Sequence, residues 1–113
     1  MDTIKAVDSL FDKIDKGMDI MTPRELSQII VELSVYLGKM GDMLANTNIK
    51  YSKIWLKLRE DTKSDKHADV AAGTTETYKQ RKVLKMKIAA TTELINSLKK
   101  RIEVLNNEAR NQY

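Results

Sequence analysis

The sequence predicts an all-α protein: a short N-terminal helix and a long antiparallel, coiled-coil-like helical hairpin, together a three-helix assembly. Three observations carry this. The 113 residues contain one proline, four glycines and five per cent aromatics, too few turn formers and aromatics for a sheet protein. Apolar residues recur at alternating spacings of four and three from Leu26 to Leu58. A second such seam runs from Leu84 to Leu105.

The first helix, over residues 3–16, places Ile4, Val7, Leu10, Phe11 and Ile14 on one face, and Gly17 stands where a C-terminal cap belongs. The next start signal is "MTPREL". Thr22 is the N-cap, Pro23 the first helical residue, and Glu25 completes a capping box, while Met21 and Leu26 are spaced for a hydrophobic staple. The helix predicted over 23–60 has the seam Leu26, Ile30, Leu33, Leu37, Met40, Leu44, Thr47, Tyr51, Ile54 and Leu58. Ile29, Tyr36 and Met43 widen the apolar stripe, so this part of the helix should face more than one partner. Gly38 and Gly41 weaken the helix and imply a close crossing or a bend.

Residues 61–74 lack a sustained period and are rich in Asp, Thr, Ser and Gly, so they are expected to form a loop. The last helix, over 75–110, begins near residues 74–77, with Thr77 and Gln80 as a second capping box. Its seam is Leu84, Ile88, Thr91, Ile95, Leu98, Ile102, Leu105 and Ala109. An antiparallel hairpin sets Thr47 opposite about Thr91, where two hydroxyls can pair with each other or share a water. The acidic first helix would then cover Ile29, Tyr36 and Met43 in a single helical domain over 1–113. Because two helices and a short third bury little core, self-association through the seams is expected.

Little points to catalysis. Cysteine is absent, so neither disulfides nor thiolate metal sites are available. His67 is the sole histidine; with Asp65 and Asp69 it has the spacing for a divalent ion, but a solvated loop accounts for all three. Glu60 and Asp61 read as solvated charges, the serines and threonines have no other histidine for a triad, and no glycine-rich phosphate loop occurs. The expectation is a non-enzymatic protein without metal or cofactor. No apolar run is long enough for a signal peptide or a membrane span, so a soluble, intracellular setting is expected.

Charge is the better lead. The first 21 residues carry five Asp and three Lys, residues 50–66 six basic and three acidic side chains, and residues 77–90 five basic and no acidic ones. Lys50, Lys53 and Lys57 share a helical face, with Tyr51 and Trp55 beside them. Lys79, Arg81, Lys82, Lys85 and Lys87 open the last helix. In the hairpin these blocks meet near the connection, forming a surface for a phosphate backbone, for single-stranded nucleic acid or for an acidic partner. Tyr51 belongs to the seam, and lysines are also common on a plain solvated helix face. Lys99, Lys100 and Arg101 lie off the last seam and read as solvated.

Residues 51–110 also resemble small helical phage accessory proteins encoded near recombination and single-strand-binding genes in temperate phages of low-GC bacteria. The resemblance rests on Tyr51 and Lys53, on Ala72 and Gly73 in the connection, on "ETYKQRK", and on the ending "LINSLKKRIEVLNNEAR". It implies a phage accessory protein, cytoplasmic in the bacterial host, with no particular binding residue. The function expected is binding in phage DNA metabolism through the basic hairpin end, with nucleic acid or a replication or recombination protein as partner. The alternatives are an anti-CRISPR-like inhibitor that binds a host-defence protein, and a structural or assembly coiled coil.

Overall fold

The computed structural model describes residues 2–111 and is all-α. Among the described residues the order is α1 (Asp2–Gly17), a 3-10 turn (Met18–Ile20), α2 (Pro23–Thr62), α3 (Asp65–Ala72) and α4 (Glu76–Asn111), with no strand. Four helices therefore replace the three expected, because α3 occupies most of the connection read as a loop over 61–74.

Local chemistry sets the boundaries. Thr22 caps α2: its Oγ1 accepts the Glu25 N–H at 3.2 Å and donates to Glu25 Oε1 at 3.1 Å. At the other end Lys63 takes a left-handed conformation (φ 55°), which stops the helix and leads into Ser64. The Ser64 hydroxyl then caps α3 by accepting the His67 N–H at 3.5 Å. The cap of α4 is Thr75, whose Oγ1 accepts the Tyr78 N–H at 3.2 Å. Thr77, expected to hold that role, lies inside the helix. Gly17 closes α1 as expected, with a φ of −148° rather than a left-handed turn.

The chain forms two compact units, one of residues up to Met40 together with those from Ile88 onward, the other Gly41–Lys87. In the first, Leu10 and Ile14 of α1, Leu26, Ile29 and Leu33 of α2, and Ile95 and Leu98 of α4 make one apolar cluster. Ile30, Tyr36, Leu37, Ile102 and Leu105 pack against it. Leu10 and Ile14 of α1 thus share a cluster with Ile29 of the widened stripe. Met40 is also fully buried, and Ile88 half-buried.

In the second unit, Asn48 meets Arg81 and Tyr51 meets Tyr78, so α2 and α4 are in contact there. Leu84 is buried, and Met43, Leu44, Ile54 and Leu58 are half-buried. α3 buries Ala68 and Ala72, whose short side chains let its backbone lie close to its neighbours. Its polar side is tied to α2 through Trp55 with Asp69 and Arg59 with Asp65. Every residue assigned to the two apolar seams is buried or half-buried, apart from Ala109.

Three expectations are corrected. A Cβ added at Gly38 or Gly41 meets nothing within 4 Å, so no helix crosses closely at either position. Thr47 Oγ1 donates to the Met43 carbonyl of its own helix at 2.8 Å, and the fully buried Thr91 Oγ1 has no hydrogen-bond partner. Finally, Arg101 is half-buried with its Nε out of solvent; only Lys99 and Lys100 are exposed as expected.

Candidate nucleic-acid interface

Charge divides between the two units. Residues 41–87 hold eleven basic and six acidic side chains, a net +5, while the rest of the chain holds nine basic and ten acidic, a net −1. Both basic blocks therefore fall in one compact unit. It exceeds the whole chain's +4.

Within this unit the basic side chains divide into two groups. Lys50, Lys53 and Lys57 are exposed, and their spacings of three and four set them along one face of α2. Lys79, Lys82 and Lys85 are exposed on the first turns of α4, and Lys87 is half-buried. Long, solvated ammonium groups of this kind suit phosphate oxygens because they act as mobile point charges without demanding one geometry.

Arg81 is engaged within the unit. It is half-buried, donates its Nε–H to Asn48 Oδ1 at 2.7 Å, and lies 4.9 Å from the centroid of the Tyr51 ring. Tyr51 in turn packs its ring 6.0 Å from that of Tyr78. Such an arginine clamps α4 to α2 through its Nε–H and the face of its guanidinium. Trp55 has a different role again. Half-buried on α2, it donates its indole Nε1–H to Asp69 Oδ1 of α3 at 2.6 Å, which satisfies the indole and fixes its ring plane.

Two clefts adjoin these residues. One, of about 410 Å³, is lined by Tyr51, Ser52, Trp55, Leu56 and Asp69. The other, of about 120 Å³, lies among Tyr78, Arg81, Lys82 and Lys85. In the first unit a cleft of about 490 Å³ lies between the end of α1, the 3-10 turn and Leu94 with Ser97, and its rim carries Asp15, Lys16 and Asp19.

The Asp65, His67, Asp69 spacing does not build a metal centre. Asp65 is held by Arg59 and Asp69 by Trp55, and among the described residues no three His, Cys, Asp or Glu side chains converge. No helix of the described residues is long and apolar enough to cross a membrane. Sequence reasoning missed Asn48, and it missed the role of Asp69: these two acceptors hold Arg81 and Trp55. The available signal was the run "SDKHADVAA", in which Ser64 can cap and Ala68 and Ala72 are spaced four apart for a buried helix face.

No protein-family model matches this chain, and neither a curated protein nor a solved structure matches it. What can be said of its function comes from its own residues.

Proposed function

We propose that this is a non-enzymatic nucleic-acid-binding protein whose lysine-rich unit, residues 41–87, lies along a phosphate backbone. The supporting observation is the net +5 gathered in that unit, with Lys50, Lys53, Lys57, Lys79, Lys82 and Lys85 all exposed. The resemblance of residues 51–110 to phage accessory proteins gives the setting, phage DNA metabolism in a bacterial host. Hairpin pairing of the two long helices and self-association belong to the same reading, and light scattering tests the latter.

Binding through phosphates releases condensed counterions, so affinity must fall steeply with salt. Labelled single- and double-stranded oligonucleotides titrated at ~50 mM salt test the reading, with a log–log salt slope that counts the phosphates neutralised. If neither strand form binds, the reading is wrong.

A second reading, an inhibitor of a bacterial defence system that acts by protein–protein binding, is favoured by apolar exposure in the first unit. Ile20, Val31 and Val35 are 87, 64 and 54% exposed there. On that reading the protein used as bait retains a host protein after nuclease treatment, and mutating these three side chains abolishes capture.

A further inference from the structure

The cleft between α2 and α3 has a composition that phosphate binding alone leaves unused. One wall is the Trp55 indole, held by Asp69 Oδ1, and beside it Leu56 is 58% exposed. Ser52 and Asp69 put a hydroxyl and a carboxylate at the same opening. The exposed Lys53 and Lys57 immediately follow Ser52 and Leu56 in sequence, which sets them about 100° further round α2, with Lys50 on that same basic face.

Each feature selects for part of one ligand. A flat aromatic wall with an exposed aliphatic neighbour favours a planar, weakly hydrated group. The carboxylate accepts N–H donors of the kind carried by base edges, and it disfavours a phosphate or an acidic side chain at the same place. The lysine face next to it favours phosphates. Planar base inside, phosphates outside, is the arrangement of an unstacked nucleotide; in a duplex the base edges are paired and the faces stacked, and neither is free to enter.

We propose that this cleft accepts one unpaired base of a single-stranded nucleic acid, stacked on Trp55 against Leu56, with the adjoining phosphates along Lys50, Lys53 and Lys57. The proposal rests on the nucleic-acid reading above and names its substrate class. Asp69 is a positioning residue: it sets the indole plane on which the base lies. Arg81 already covers the Tyr51 ring, so stacking is carried by Trp55.

Trp55 is the chain's one tryptophan, so its fluorescence reports this cleft alone. The full chain is titrated with an oligothymidylate, with an abasic strand of the same length and charge, and with a duplex of that length. The expected result is quenching by oligothymidylate, no quenching by the abasic strand, and about fivefold or more weaker binding of the abasic strand. Trp55→Leu should bring oligothymidylate down to the abasic affinity with an unchanged salt slope, and Trp55→Phe, which restores a ring, should recover most of the loss. Circular dichroism confirms that each variant retains its helices. Equal affinity for both strands without a change in emission, or tighter binding of the duplex, overturns the cleft proposal and leaves the lysine surface standing. Failure of all three nucleic acids to bind overturns both.

Discussion

Arg81 donates its Nε–H to Asn48 Oδ1 across 2.7 Å, joining residues 33 positions apart in the chain. This member of the second basic block is thereby a structural clamp. Arg81→Ala removes this bond and the cation–π contact with Tyr51, and should cost about 1–3 kcal/mol in urea unfolding. Its effect on the salt slope of nucleic-acid binding should be small. Lys82→Ala and Lys85→Ala should do the reverse, leaving stability within about 0.5 kcal/mol and lowering the single-strand slope by about 0.7 each.

Thr91 is fully buried and its hydroxyl has no partner, whereas the buried hydroxyl of Thr47 is bonded to the Met43 carbonyl. Replacing an unsatisfied hydroxyl by a methyl of similar shape removes a desolvation cost and adds apolar burial. Thr91→Val should stabilise the protein by about 1 kcal/mol. Thr47→Val, which also discards a hydrogen bond, should gain less. The shift in urea midpoint at constant m decides between them.

Gly38 and Gly41 sit inside a continuous helix with open space where a Cβ would project. With no contact to lose, alanine supplies only its better helix propensity and a less flexible unfolded chain. Gly38→Ala and Gly41→Ala should each stabilise by about 0.5–1 kcal/mol. If either weakens binding to a partner while stabilising the free protein, that face of α2 is an interface.

Leu33 and Leu98 are fully buried and belong to the cluster that α1, α2 and α4 build together. Truncating either to alanine should cost about 2–5 kcal/mol, through lost transfer energy and the cavity left behind. The same change at the exposed Leu56 should cost little stability and should weaken oligothymidylate binding instead.

The seams were legible because burial along a helix writes itself into sequence as a period. Alternating spacings of three and four mark the residues from Leu26 to Leu58 and from Leu84 to Leu105, and "MTPREL" carries its own cap. α3 was not legible in the same way. Eight residues with two buried alanines carry almost no apolar period, and the helix is tied down by side chains of α2, Trp55 and Arg59.

The basic site divides along the same line. Sequence alone determined which residues are cationic, that Lys50, Lys53 and Lys57 share a face, and that both basic blocks flank one connection, since charge and helical spacing are local properties. Only the tertiary structure decided that Arg81 and Trp55, both half-buried, are held by Asn48 and Asp69 while the lysines beside them stay in solvent. Hydrogen-bond partners are chosen by which helices meet and in what register, and no single segment contains that information.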